Sequence, residues 1–152
     1  MFKKDNKIYY EWTDYSADIK QVKNLEFDHV VGIYRGSLPV AVHISNVFKV
    51  PMSIVGFQTR DGKDKEPYMI KVEKTLAHAW GPTKLLVVDD IYDSGYTMRR
   101  VIKMLSHYSE HRIQSFCLFG KENNLNVLYA NEHDGSWIVF PWEYIEGDNE
   151  SV

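Results

Sequence analysis

The stretch KLLVVDDIYDSGYTMRRVIKML, Lys84–Leu105, joins two hydrophobic periods in one unit. Its first part, KLLVVDDI, is a continuous apolar run ending in carboxylates, the pattern of a central parallel strand buried on both faces. From Thr97 the period changes. Met98, Val101, Ile102 and Leu105 recur at i, i+3, i+4 and i+7, which predicts a helix with one apolar stripe. A strand, an acid cluster, a glycine turn and a helix in succession form the repeating unit of an α/β domain. In such domains a right-handed crossover is the rule and ligands bind beyond the carboxyl ends of the strands.

The flanking sequence repeats the unit. FDHVVGIY reads as a buried strand, YRGS as a turn, and Pro39 suits the first turn of a helix whose inner side carries Val40, Ile44, Val47 and Phe48. That helix runs to Lys49 and Pro51, and another strand begins near Met52. Ahead of it, Thr13 or Ser16 can cap a first helix with Ile19, Val22 and Leu25 on one face. Downstream, IQSFCLFG reads as a strand leading to Lys121, and SWIVFPWEYI is the last apolar segment. From Gln58 to Lys74, alternating charges surround Gly62 and Pro67. This predicts a long exposed hairpin, either a solvated edge or a flexible cover for a site (58–74).

Bulk properties narrow the class. A chain of 152 residues with no repeat, low-complexity tract or linker fits one domain, 1–152. With 44% hydrophobic, 26% charged and 14% aromatic residues it has globular composition. A net charge of -3 gives no general attraction to a polyanion, so no nucleic-acid partner is expected. Cys117 is the one cysteine, which excludes an internal disulfide and a cysteine-rich zinc site and fits a reducing, cytoplasmic compartment. His107, His111 and His133 have no coherent metal spacing and read as surface residues. No stretch approaches the roughly 18 apolar residues of a membrane span, so no membrane partner is expected.

Chemistry concentrates in VVDDIYDSGYT, Val87–Thr97. Asp89 and Asp90 stand where a buried strand ends, and paired carboxylates there can accept hydrogen bonds from vicinal ribose hydroxyls and hold hydrated Mg²⁺, a hard ion that prefers oxygen. Ser94, Gly95, Tyr96 and Thr97 lead into a helix, so their backbone N–H groups and the helix dipole can cradle a phosphate. Three acids within five positions beside a buried strand would repel one another without a cation or polyhydroxyl partner. The alternative is that Asp89, Asp90 and Asp93 serve only as turn and capping residues. In the upstream turn, Arg35 can neutralise an anion as a bidentate donor, while Gly36 and Ser37 supply backbone and hydroxyl donors.

The run at 87–97 resembles the phosphoribosyl pyrophosphate binding signature of type I phosphoribosyltransferases, and VGIYRGSLPVAVHIS resembles the same family's pyrophosphate loop. The resemblance implies the family's fold: a central parallel sheet flanked by helices, with a small C-terminal hood lobe. It implies that Asp89 and Asp90 contact the ribose hydroxyls, that residues 93–97 hold the 5-phosphate, and that Asp93 faces purine N7. Arg35, Gly36 and Ser37 would bind pyrophosphate. Tyr92 departs from the family, which usually carries a small aliphatic residue there, and Ser37 replaces a second glycine found in many relatives.

FGKENN and SWIVFPWE resemble the base pocket of bacterial and archaeal 6-oxopurine members, placing purine binding in 121–145. By that resemblance Lys121 reaches the oxygen at position 6, Trp137 stacks on the ring, and Ile138 gives backbone or apolar contacts near position 2. An indole is a rigid apolar face and an ammonium a pure donor, which agrees. Trp142 and Glu143 fit either the pocket wall or ordinary packing. The implied reaction transfers phosphoribosyl from the pyrophosphate ester to hypoxanthine, guanine or xanthine, with Asp93 and Arg35 catalytic, Mg²⁺ as cofactor, and a homodimer or homotetramer as the assembly. The rival readings are a non-catalytic regulator that senses phosphoribosyl pyrophosphate and binds nucleic acid, or an enzyme for adenine or a pyrimidine.

Overall fold

The computed structural model describes residues 1–57, 68–71, 83–107, 112–122 and 125–144. In chain order the elements are β1 (Phe2–Lys4), β2 (Lys7–Tyr9), α1 (Trp12–Asp18), a 3₁₀ helix (Ile19–Asn24), β3 (His29–Tyr34), α2 (Leu38–Phe48) and β4 (Met52–Gly56). There follow β5 (Tyr68–Lys71), β6 (Lys84–Tyr92), α3 (Tyr96–Ser106), β7 (Arg112–Gly120), β8 (Leu128–Glu132) and β9 (Trp137–Val139). Of the expected hairpin at 58–74, only β5 lies within the described residues. It pairs antiparallel with β4, as a hairpin requires.

Six strands form the main sheet in the order β5-β4-β3-β6-β7-β8, and all pairs except β4–β5 are parallel. The expected parallel sheet is present. Strand alternation divides the core into two layers. Val30, Leu86, Val88, Phe116 and Leu118 face α2 residues Val40, Ala41 and Ile44. On the other face Val31, Leu85, Val87 and Cys117 pack with Met98, Val101 and Leu105 of α3. Both faces are covered, which explains why β6 reads as an unbroken apolar run. From β3 the chain passes to β4 on one side and later to β6 on the other. The β3 and β6 exits therefore flank the point where strand order reverses, where ligands of open parallel sheets bind.

β1, β2 and β9 form a separate three-stranded sheet that joins the two chain ends. It corresponds to the expected hood, with an N-terminal hairpin added. Tyr10, next to β2, donates its backbone N–H to Val139 O and packs edge-on against Phe119 and Phe140, tying this sheet to the core.

Several local expectations change. The first helix starts at Trp12 after Glu11, whose N–H is held by Asp14 Oδ2 at 3.1 Å, so neither Thr13 nor Ser16 caps it. Ile19, Val22 and Leu25 repeat every three residues, the period of the 3₁₀ turn that they form. Val47 is 56% exposed, because the buried stripe of α2 centres on Ala41, Ile44 and Phe48 and leaves Val47 on its flank. His133 is buried where a surface residue was expected: its N–H donates to Gly120 O at 2.7 Å, which draws it in beside the end of β7. His107 is exposed, and His111 lies outside the described residues.

Candidate active site at the β3 and β6 exits

Alternation along β6 settles where the acid pair points. Asp89 continues the Leu85–Val87 face toward α3, and Asp90 continues the Leu86–Val88 face toward α2. Asp89 Oδ1 accepts from Asp90 N at 3.1 Å, and Asp90 Oδ1 from Ile91 N at 2.8 Å. Burial, and then the charge of Asp90, holds Asp89 well above the usual carboxylate range, and burial also raises Asp90. Two partly covered, mutually repelling carboxylates are a donor set that a bound cation stabilises.

Asp90 also reaches the second loop. Gly36 lies so close that a Cβ on it would collide with the Asp90 carboxylate, with Cγ only 2.7 Å away. The structure thereby brings together two motifs 54 positions apart, as the numbers 36 and 90 give. The Tyr34–Arg35 peptide is cis and the Arg35 side chain is exposed beside this contact. Ser37 is fully buried, and its hydroxyl donates to Ile33 O at 2.6 Å. The hydroxyl expected to bind an anion thus spends its proton within the loop in this structure.

Beyond Asp90 the chain turns into α3. Gly95 is its N-cap at φ 71°, and no acidic residue occupies the first turn, so the amide end keeps its positive character. Asp89, Tyr92, Asp93, Ser94 and Thr97 help line a small cavity of about 90 Å³ at this end, of a size for a phosphate group. Ser94 Oγ accepts from Tyr96 N at 3.3 Å, and Tyr96 packs beside Phe57 and under the guanidinium of Arg100. Tyr92 is buried, with its hydroxyl against Gly95, so the departure from a small aliphatic residue is absorbed by a glycine without a side chain. The sequence reading missed Arg99, whose Nη2 donates to Ser94 O at 2.8 Å. Its position one turn into the predicted helix, above the turn at Ser94–Gly95, was the available signal.

The third group forms across two strands. Tyr92 of β6 is in register with Gly120 of β7, so Asp93 and Lys121 leave adjacent strand ends side by side, and Lys121 Nζ pairs with Asp93 Oδ1. The Lys121 hydrogen bond, with a smaller contribution from the His133 charge, holds Asp93 below the usual carboxylate range. Trp137 and Ile138 come from β9 in the other sheet. Trp137 is 67% exposed and presents a large indole, whereas the Ile138 side chain is buried in the core, so only its backbone is available to a ligand. Trp142 belongs to ordinary packing, stacked on Phe140 at 4.9 Å and edge-on to Tyr15.

A family model described as "Phosphoribosyl transferase domain" matches residues 1–146. The chain belongs to this family. It is similar to a hypoxanthine-guanine phosphoribosyltransferase of Dictyostelium discoideum, 25% identical over 118 residues, covering 74% of this chain and 63% of the relative. It is also similar to a xanthine-guanine phosphoribosyltransferase of Gluconobacter oxydans, 27% identical over 128 residues, covering 80% and 71%. A purine phosphoribosyltransferase structure from Pyrococcus horikoshii Ot3 superposes with a TM-score of 0.72 at 22% identity, covering 95% and 99%, so the two share a fold. The transcriptional regulator GfcR of Methanococcus maripaludis is 28% identical over 109 residues, covering 64% of this chain and 53% of the regulator. The chain thus spans a little under two thirds of the first of these relatives and about half of the regulator.

Family members of this fold imply Mg²⁺, and the donor set fits it. Asp89 and Asp90 offer adjacent carboxylate oxygens whose raised protonation a cation would relieve. Among the described residues no group of three or more His, Cys, Asp or Glu side chains is placed to hold a metal. Mg²⁺ commonly binds through one or two carboxylates and completes its shell with water and substrate oxygens, which is what the Asp89–Asp90 pair can offer. Among the described residues no helix is long and apolar enough to cross a membrane.

Proposed function

We propose that this protein transfers the 5-phosphoribosyl group from phosphoribosyl pyrophosphate to a 6-oxopurine, giving a nucleoside monophosphate and pyrophosphate. The observation that carries the base choice is the Lys121–Asp93 pair at adjoining strand ends. An ammonium can only donate and a carboxylate can only accept. A purine whose N7 carries hydrogen presents the complementary edge, an accepting oxygen at position 6 and a donating N7–H. Adenine presents an amino group at position 6, leaving two donors face to face, at a cost of about 1–3 kcal/mol for the unpaired group.

In this reading the helix N-terminus at Gly95–Thr97 holds the 5-phosphate, and Asp89 and Asp90 accept from the ribose hydroxyls. Arg35 and the backbone of Gly36 and Ser37 receive the pyrophosphate. Asp93 takes the N7 proton as N9 attacks C1 of the ribose, a general-base role that also orients the ring. Positive charge builds on the sugar as the C1–O bond breaks, so Arg35 assists by stabilising the departing anion. Mg²⁺, when bound, neutralises pyrophosphate charge. Trp137 supplies an apolar face for the base.

The test is to incubate the protein with phosphoribosyl pyrophosphate, Mg²⁺ and each nucleobase and to measure the nucleotides formed. The expected result is turnover of hypoxanthine, guanine or xanthine with kcat/KM roughly 5- to 150-fold above that for adenine. A preference for adenine or a pyrimidine would overturn the base assignment. Absence of nucleotide with every base would overturn the enzymatic reading.

A further inference from the structure

The site has a competitor for its sugar. Water at C1 of phosphoribosyl pyrophosphate would give hydrolysis: the water oxygen bonds to C1, and the C1–O bond to pyrophosphate breaks with its electron pair leaving on pyrophosphate. The water proton passes to a base, and the products are ribose 5-phosphate and pyrophosphate. A carboxylate placed to take a proton from a purine can also take one from a water attacking C1, though water is much the weaker acid.

Without a base present, Asp93 is engaged. Lys121 Nζ donates to Asp93 Oδ1, and both side chains are substantially exposed, 42% and 62%. Among the described residues the imidazole of His133, just after β8, also acts on Asp93. An exposed ion pair of this kind is weak and opens readily, so it does not obstruct a ligand that offers both partners something better. A 6-oxopurine does: its oxygen takes the ammonium and its N7–H takes the carboxylate, so neither charge is left without a partner. A single water can bridge the pair, but the hydrogen bond that its oxygen accepts from the ammonium draws electron density from it and makes it a weaker nucleophile toward carbon.

We propose that the Lys121–Asp93 ion pair biases the site toward purine over water as the acceptor of the phosphoribosyl group, reducing the availability of Asp93 to water until a 6-oxopurine separates the two side chains. This rests on the reading given under Proposed function. Lys121 acts here as a positioning residue for Asp93, in addition to meeting the base. The same ammonium makes the carboxylate a weaker base, which acts in the same direction.

The experiment measures pyrophosphate release from phosphoribosyl pyrophosphate and Mg²⁺ with no base present, beside nucleotide formation with hypoxanthine. Lys121→Gln should slow transfer to hypoxanthine yet raise hydrolysis by about two- to fivefold, the population shift expected on removing an exposed pair. Lys121→Arg keeps an ionic partner for Asp93, so hydrolysis should rise less in it than in Lys121→Gln. In Lys121→Gln with Asp93→Asn the increase should vanish, because the liberated base is gone. Hydrolysis by Lys121→Gln at or below the wild-type rate, or an increase that survives Asp93→Asn, overturns the inference while wild-type transfer leaves the enzymatic reading standing. A wild-type protein that forms no nucleotide with any base removes both.

Discussion

Replacing Gly36 with alanine tests whether the two loops are locked together through Asp90. The backbone is no obstacle, since Gly36 is not among the positive-φ residues. At a compatible position the change from glycine stabilises by about 0.4–1 kcal/mol, because the unfolded chain loses freedom. Against this, the new methyl would meet the Asp90 carboxylate, with Cγ at 2.7 Å and Oδ1 at 3.2 Å. Overpacking costs roughly 1–3 kcal/mol. Turning the carboxylate away relieves the overlap but loosens the bond from Ile91 N at 2.8 Å, a charge-assisted contact of about 1.5–3 kcal/mol. The two penalties are alternatives, so about 2 kcal/mol is a fair gross cost, leaving a net loss near 1–1.5 kcal/mol.

For a chain of 152 residues that is a fall in Tm of roughly 2–6 °C. Because the carboxylate and the Arg35 loop are displaced together, kcat/KM for phosphoribosyl pyrophosphate should drop about tenfold or more, as small misplacements in a site commonly do. The decisive comparison is thermodynamic. In an Asp90→Ala background the obstacle is gone, so Gly36→Ala should become neutral or stabilising by up to about 1 kcal/mol. Thermal or urea melts of the four proteins measure this. Equal destabilisation by Gly36→Ala in both backgrounds would refute the reasoning.

Two further outcomes follow from the same geometry. Asp89 is held above its ordinary value, so between the unfolded pKa near 3.9 and its raised native one the folded chain binds more protons, and the stability of the metal-free protein falls as pH rises through that window. Asp89→Asn should flatten the slope and raise Tm at neutral pH while reducing Mg²⁺-dependent turnover; melts from about pH 4 to 8 with an unchanged slope would count against it. Gly95→Ala must place a side chain at φ 71° against the Tyr92 hydroxyl, so it should cost about 1–3 kcal/mol and raise KM for phosphoribosyl pyrophosphate. Adding Tyr92→Phe removes only the hydroxyl, leaving ring Cζ at 2.6 Å and Cε2 at 3.0 Å as well as the backbone strain, so a urea midpoint fully restored by it would contradict this account.

How legible the protein was in its sequence depends on whether a feature is written in neighbouring residues. β6, the acid pair, Gly95 and α3 are contiguous, and each is encoded by local rules: an apolar run, a change of period, a glycine at φ 71°. The strands that escaped notice lack such local evidence. β1 and β2, FKK and KIY, are three residues each, too short to show a period, and β8, LYANE, is only partly buried. One clue was present: Asp5 and Asn6 join β1 to β2 with φ 49° and 60°, the left-handed pair that a two-residue hairpin loop demands and that Asp and Asn tolerate. His133 was misjudged because its burial comes from a β7 carbonyl, which no spacing within its own segment reveals.

The least legible part of the site is the pairing of Asp93 with Lys121. Each residue can be singled out from its own motif, but their meeting depends on Tyr92 standing opposite Gly120 in a parallel ladder. Side chains alternate with a period of two, so a slip of one residue between β6 and β7 would turn the strand's apolar side chains to the wrong faces and carry Lys121 away from Asp93. What prevents that slip is the core. Leu85 and Val87 are buried with Cys117 on one face, and Leu86 and Val88 with Phe116 and Leu118 on the other, so either wrong register would misplace residues that are fully buried. The hydrophobic order of two strands therefore fixes the distance between an acid and a base at their ends, and the polar pair inherits its geometry from packing that it does not itself supply.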